Sequence, residues 1–350
     1  MDFIRTFKEI NKNDVASVGG KGASLGEMTQ AGTPVPPGFV ILTSAFERFL
    51  AESDLNQELD TILDHEVNRE ELRTVDIASE RIQQLILSAR MPADIAREIK
   101  SAFKKLGAKY VAVRSSATAE DSTSTAWAGQ LDTFLNTTEE NLLENVQKCW
   151  ASLFTPRAIF YRFEKGMHGQ KISVAVVIQK MIQSEVSGIA FSVHPVTEDR
   201  NQLIIEAGFG LGEAIVSGQV TPDSYVVEKN PRRIIDKNIT VQPRSLVRAG
   251  SNSKANYMLI RANKHIVGEK INDGPPSRKA SAGEPNEWRE LSEKEGQKPT
   301  LRDEQVFELT DLVLKLESHY GFPVDVEWAY EQGEFYIMQS RPITTLSPLR

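Results

Sequence analysis

The chain has 350 residues, 40% of them hydrophobic and 25% charged, and carries a formal net charge of -7 at pH 7. This is a globular composition, long enough to bury a sizeable core in one to three domains, and its acidic balance argues against a nucleic-acid surface, which wants a basic face. A single cysteine, Cys149, suits a reducing compartment, and with no signal-peptide core at the start and no apolar run near the ~20 residues of a membrane span, the sequence points to a cytoplasmic protein without a membrane partner.

In chain order, a short apolar segment leads into Gly19-Gly20-Lys21-Gly22, with a helical pattern from Ser24 to about Gln30. Pro34, Pro36, Pro37 and Gly38 break that pattern. The stretch FVILTSAFERFLAES reads as a strand entering a helix capped by Thr43 or Ser44. Residues 54–106 are helical and amphipathic, restarting at Pro92. A β-branched strand then runs from Tyr110 to Val113 and ends at Arg114-Ser115-Ser116. Helix returns over 139–165, and Ile172 to Ile182 is a continuous apolar strand, expected to be buried on both faces. GIAFSV and QLIIEA are further strands, followed by the Gly208-Phe209-Gly210-Leu211-Gly212-Glu213 loop. Over 262–299 the pattern dissolves into Lys, Glu, Ser, Asn, Gly and Pro, which reads as a flexible insertion. A helix from about Leu301 to Tyr320 and two strands, VDVEWAY and EFYIMQSRP, close the chain. Strands mixed with helices place the fold in the α+β class.

Four segments carry candidate chemistry. Glycines at 19, 20 and 22 before a helix let backbone N–H groups approach a phosphate, and Lys21 adds a positive charge; the spacing is not that of a Walker A loop. Arg114 can clamp phosphate bidentately, with the Ser115 and Ser116 hydroxyls beside it. The loop around Gly129 and Thr133 is rich in small and polar groups and serves either as a phosphate contact or as a plain turn. In the closing hairpin, period-two alternation puts Asp325 and Glu327 on one face and Gln339 with Arg341 on one face of the partner strand. If the turn centres on Gln332, odd residues pair with odd, and all four polar groups converge. Carboxylate and amide oxygens suit Mg²⁺, and arginine suits phosphate. The alternative is a solvated outer face. Gln179 and Met181 end the buried strand and offer an amide and a thioether to a base; the plainer role of Met181 is core filling. GFGLGE departs from G-x-G-x-x-G, since its third glycine comes one residue early. No two of the five histidines are spaced as metal ligands.

Taken together, VGGKGASLGEM, PVPPGF, AVRSSATAED, WAGQLDTFLN, CWASLFTPRAIFYR, VVIQKMIQSEVSGIAF, GLGEAIVSGQVTPDSY, DVEWAY and FYIMQSRPITT resemble the N-terminal ATP-binding domain of the dikinase superfamily, which includes phosphoenolpyruvate synthase, pyruvate phosphate dikinase and rifampicin phosphotransferase. The resemblance runs in order from about residue 8 to 346 and fades across 230–300. It implies an ATP-grasp-type fold, with lobes at 1–185 and 186–346 gripping ATP and Mg²⁺. By match to those motifs, Lys21 and Arg114 hold phosphates, Gly129 and Thr133 contact them, and Gln179 lies by the adenine, with Met181 as a neighbour. Glu327 and Gln339 hold Mg²⁺, and Arg341 steadies the transferring phosphoryl group. The resemblance further implies transfer to a histidine on another domain or subunit, leaving AMP and phosphate. No carrier-histidine segment is found in the sequence, so a phosphohistidine-bearing partner is expected. Two arrangements fit: the ATP-binding subunit of a split enzyme of the phenylphosphate synthase kind, or an excised ATP-binding domain of phosphoenolpyruvate synthase or rifampicin phosphotransferase. A purely regulatory nucleotide module would not need the intact acid, amide and arginine set.

Overall fold

The computed structural model describes residues 2–68, 70–118, 132–167, 172–250, 286–344 and 346. In chain order its elements are β1 (Ile4–Thr6), α1 (Val15–Gln30), β2 (Gly38–Ile41), α2 (Thr43–Glu52), α3 (Leu55–Thr61), α4 (Leu72–Ser88), α5 (Ala93–Leu106), β3 (Val111–Ala117), β4 (Thr133–Thr137), α6 (Leu142–Ala151), α7 (Pro156–Glu164) and β5 (Val174–Lys180). There follow β6 (Val186–Phe191), β7 (Gln202–Phe209), α8 (Glu213–Val216), β8 (Asp223–Glu228), β9 (Arg233–Asn238), β10 (Arg244–Arg248), β11 (Asn286–Glu290), α9 (Glu293–Gly296), α10 (Asp303–Tyr320), β12 (Val324–Glu331) and β13 (Glu334–Pro342). The α+β expectation holds. No helix among the described residues is long and apolar enough to cross a membrane.

Two large sheets organise the molecule. The first is five-stranded, ordered β1-β2-β5-β3-β4; the second is six-stranded, ordered β13-β12-β6-β7-β8-β9. Strand β5 sits at the centre of the first sheet, between β2 and β3, and all but its last residue are buried. That is why its sequence is a continuous apolar run rather than an alternation. Its two faces feed two cores. Val174, Val176 and Ile178 pack with Phe46, Phe49 and Trp150 of the helical layer. Ala175 and Val177 join a second core with Val18, Met28, Leu309, Val326 and Trp328. That second core draws on both sheets, on α1 and on α10, so burial holds the sheets together across the cleft.

Several local expectations change. The glycine cluster straddles a break between two helical segments and leads into the second of them. It lies inside α1, which bends at Gly19 (φ 70, ψ 174). Thr43 is the first residue of α2 rather than a cap, and its hydroxyl donates to the Ala16 carbonyl. Residues 286–299, read from composition as part of a flexible insertion, carry β11 and α9; β11 pairs with β10 from Arg244↔Glu290 to Arg248↔Asn286. Residues 262–285 lie outside the described residues.

Trp150 is completely buried, with its ring centroid 4.9 Å from that of Phe49 and 5.7 Å from that of Phe46. Its indole N–H has no acceptor among the described residues. Trp150→Ala should therefore cost about 3–5 kcal/mol in urea unfolding through the cavity it leaves. Trp150→Phe should cost much less, because no hydrogen bond is lost. Equal losses in the two variants would show that the indole's polar end matters.

Candidate phosphate and metal cleft

The cleft lies between one face of each large sheet. From the first sheet, Arg114 on β3 shares a face with Ala112 and Ser116, and register pairs it with Thr133 of β4 and Val177 of β5. From the second, β12 and β13 present Asp325, Glu327, Gln339 and Arg341, while Val324, Val326 and Ile337 fill the core.

Convergence of those four groups depends on a bulge. The β12–β13 connection is a two-residue turn, Gln332-Gly333, with φ of 52° and 91° at its residues, the left-handed pair that tight hairpins favour. It closes with Glu331 opposite Glu334, which pairs odd residues with even. Between Glu327↔Gln339 and Trp328↔Ile337 the register shifts, and Met338 is the extra residue. Beyond the bulge odd pairs with odd: Glu327 faces Gln339, and Asp325 faces Arg341. The expected arrangement is therefore reached by a different route. The bulge also turns a backbone carbonyl outward, and the Arg114 Nη1 donates to the Met338 oxygen at 3.3 Å.

Arg114 ties the sheets together. Its Nη2 donates to Gln339 Oε1 at 2.7 Å and lies 3.5 Å from the Glu327 carboxylate, with its side chain only 12% exposed. The donation fixes the Gln339 amide with its oxygen, the metal-competent atom, toward the cleft. Arg341 Nε donates to Asp325 Oδ2 at 2.8 Å. The other Asp325 oxygen is buried and has no hydrogen-bond partner among the described residues. Burial pushes the Asp325 carboxyl above its ordinary range; Arg341 opposes the shift and Glu327 adds to it.

Beyond Arg114, Gly19 passes so close to β3 that an added Cβ would stand 2.3 Å from the Ser116 carbonyl oxygen. This contact aims the segment starting at Gly20, so Gly20, Lys21 and Gly22 form a first helical turn, where N–H groups lack partners in the helix. Lys21 Nζ donates to the Ser115 carbonyl at 3.2 Å. The Ser115 and Ser116 hydroxyls are not free for a ligand as the sequence suggested. Strand β3 continues to Ala117, and both are buried. The Ser115 hydroxyl bonds with Ser152 and Asp132, and that of Ser116 with Val18 and the Gly22 N–H. Gly129 lies outside the described residues, whereas Thr133 opens β4 beside Arg114.

Gln179 lies on the cleft face of β5, opposite Ala112. It is completely buried, and neither amide atom has a hydrogen-bond partner among the described residues. An unpaired buried amide is costly, which makes Gln179 a candidate to pair with the polar edge of a ligand. Met181 packs with Leu211, Leu246 and Trp288, so core filling accounts for at least part of its role. The GFGLGE loop is structural: a Cβ on Gly210 would meet the Leu246 carbonyl oxygen at 2.3 Å.

One acidic residue escaped the sequence reading. Glu206 of β7 pairs with Ile189 of β6, which in turn pairs with Glu327. Glu206 therefore lies in the same cross-sheet row as Glu327 and Gln339. Its only sequence signal is a carboxylate within the apolar run QLIIEA. Burial pushes its carboxyl up, and the Asp325 charge adds to the shift. Among the described residues no three His, Cys, Asp or Glu side chains form a metal-binding group. A divalent ion would thus rest on the Glu327 carboxylate, the Gln339 amide and oxygens brought by a phosphate ligand, as hard cations accept. Cys149 takes no part: burial pushes its thiol up to about 12.

Because its folded-state pKa is raised, Glu206 costs the native state stability above the ordinary glutamate range. That cost vanishes below about pH 4, where both folded and unfolded forms are protonated. Glu206→Gln should accordingly raise the Tm at pH 7–8 and leave it unchanged near pH 4. A gain that persists at pH 4 would show that packing, not charge, is responsible.

Residues 15–349 match the family described as pyruvate phosphate dikinase, AMP/ATP-binding domain. The chain is 41% identical to the phosphoenolpyruvate synthase of Pyrococcus furiosus over 98% of this chain and 44% of that protein. It is 37% identical to the rifampicin phosphotransferase of Bacillus cereus over 99% of this chain and 36% of that protein. The chain thus spans less than half the length of these curated relatives. Among solved structures, a D-alanine–D-alanine ligase from Helicobacter pylori matches 76% of this chain and 62% of its own at 13% identity and a TM-score of 0.25, too distant a likeness to bear on the argument. The extent of the family match and the identity to full-length relatives lead to one conclusion: the chain belongs to the pyruvate phosphate dikinase AMP/ATP-binding domain family.

Proposed function

We propose that this chain is the ATP-binding component of a dikinase-type phosphotransferase, with residues 1–185 and 186–346 acting as the two lobes of an ATP-grasp-type cleft. The observation that carries the proposal is Arg114, which reaches from one sheet to the Gln339 amide and the Glu327 carboxylate of the other. A guanidinium, a carboxylate and an amide oxygen meeting in a partly buried cleft suit a metal-bound polyphosphate.

In this reading Lys21 and the first turn of the Gly20 segment hold phosphate oxygens, with Thr133 and Gly129 at the small loop. Gln179 supplies the hydrogen bonds of the adenine edge, with Met181 beside the ring. Glu327 and Gln339 hold Mg²⁺, which when bound neutralises charge on the phosphate chain. Arg114 and Arg341 stabilise the charge that moves as the phosphoryl group transfers, and Asp325 orients Arg341 through its Nε. Positioning and electrostatics are all that phosphoryl transfer asks of the protein. The acceptor is a histidine nitrogen on a separate domain or subunit. It takes the β-phosphoryl group, while water takes the terminal one, giving AMP and inorganic phosphate. Of the two arrangements compatible with the sequence, we favour a split enzyme of the phenylphosphate synthase kind over an excised domain of a longer enzyme.

Incubating the protein with Mg-ATP, with and without a candidate histidine-bearing partner, tests the proposal directly. AMP should form only with the partner present; AMP release by the chain alone would overturn the division of labour. Lys21→Ala and Arg114→Ala should each lower turnover by the equivalent of about 2–4 kcal/mol. Unaltered turnover in either variant would remove that residue from the site.

A further inference from the structure

After β5 the chain crosses from the first large sheet to the second through residues 181–185. That crossing is held by a line of side-chain hydrogen bonds. Gln183 Nε2 donates to Asn136 Oδ1 at 3.1 Å. Asn136 Nδ2 donates to Asn286 Oδ1 at 2.7 Å, and Asn286 Nδ2 donates to the Glu213 carboxylate at 2.9 Å. The line joins the crossing, β4, β11 and α8. It ends on a carboxylate, an acceptor, so every donation runs the same way and each amide has one orientation.

Asn136 is built into this position. It is completely buried and stands at φ 52°, a left-handed conformation that Asn tolerates better than most residues. The register of β3 with β4 shifts there, from Val113↔Phe134 to Val111↔Thr137. A bulge thus aims the amide out of the sheet. A second contact runs parallel to the first. Arg248, the register partner of Asn286, lies 4.5 Å from the Tyr110 ring centroid and donates to its hydroxyl at 3.2 Å. The Tyr110 carbonyl accepts the Met181 N–H at 3.0 Å. Crossing residues 181 and 183 are therefore both held, one residue removed, by the β10–β11 ribbon. The middle of the ribbon is anchored to the segment that follows β7, where the Leu211 N–H donates to the Leu246 carbonyl at 2.8 Å.

We propose that Asn136 and Asn286 are positioning residues for the base end of the nucleotide site: through Gln183 and the ribbon they set where residues 179–183 stand. The inference rests on the reading of Gln179 and Met181 as neighbours of the adenine. Neither asparagine touches the phosphate cleft, so their effect should fall on recognition of the base.

The test measures binding of Mg-ATP and of AMP to the full chain by calorimetry, in wild type, four single variants and the Asn136→Gly/Asn286→Asp double variant. Asn136→Gly removes the amide and keeps the left-handed backbone available. Asn286→Asp keeps the shape but sets a carboxylate against Glu213. Glu213→Gln is the conservative control, since it retains an acceptor oxygen. Arg114→Ala reports on the phosphate end. Asn136→Gly and Asn286→Asp should weaken ATP and AMP by the same factor, about tenfold, and the double variant should be no worse than the weaker single one, because both break one line. Glu213→Gln should have a smaller effect, and Arg114→Ala should weaken ATP far more than AMP. Hydrogen exchange gives a second readout: the Met181 and Gln183 amides should exchange faster in Asn136→Gly. Unchanged exchange at 181–183, or a lowered Tm with both affinities intact, overturns the positioning role. If wild type bound neither nucleotide, the functional reading would fall, while the exchange data would still decide whether Asn136 holds the crossing.

Discussion

A guanidinium spanning two sheets sets the terms for the rest of this molecule. Arg114 is held in the middle of β3, hydrogen-bonded into the ladder on both sides by β4 and β5. Its Nη2 reaches the Gln339 oxygen and approaches the Glu327 carboxylate. Removing most of a guanidinium from water is expensive unless its donors are met. The opposing sheet must therefore offer two side-chain oxygens and the Met338 carbonyl at the right height. The shared core of α1, α10 and both sheets keeps that height constant, which is why the cleft's polar geometry is tied to apolar packing some distance from it.

Acidic groups outnumber the arginines on the cleft face of the second sheet. Asp325, Glu327 and Glu206 share that face, and burial together with mutual repulsion raises Asp325 and Glu206. The arginines offset part of this. Arg341 is engaged by Asp325 and Arg114 by Glu327. A cation arriving with a phosphate ligand would gain from the same repulsion, so the electrostatics of the protein and the chemistry proposed for its cleft point the same way.

Much of this arrangement is legible in the sequence, because its signals are local. Period-two alternation in VDVEWAY and EFYIMQSRP names the polar face of the closing hairpin, and the unbroken apolar run of β5 announces a strand buried on both sides. What escaped is set by partners distant along the chain. Ser115 and Ser116 look like loop residues but are consumed by Ser152 and Val18. Glu206 is one letter in an apolar strand, and only its register with Ile189 and Glu327 places it in the cleft. Residues 286–299 have the composition of a linker, yet β11 finds its ladder partner in β10, whose residues lie about forty positions earlier. Composition reports solvation, whereas strand pairing across such a separation is decided by topology.

The bulge at Met338 makes the hairpin a pair of compensating offsets. Its tight turn puts the strands out of step by one residue, and the bulge puts them back before Glu327. A turn lengthened by one residue with the bulge deleted would leave Asp325, Glu327, Gln339 and Arg341 on the same face. It would, however, remove the bulge carbonyl, that of Met338, to which Arg114 donates. Length variation in this hairpin is therefore admissible only in matched pairs, and even a matched pair preserves the side chains at the expense of a backbone acceptor. Insertions and deletions here carry a phase: β12 is held by its own ladder with β6, so a sequence that changes one offset without the other turns Gln339 and Arg341 of the edge strand away from the cleft.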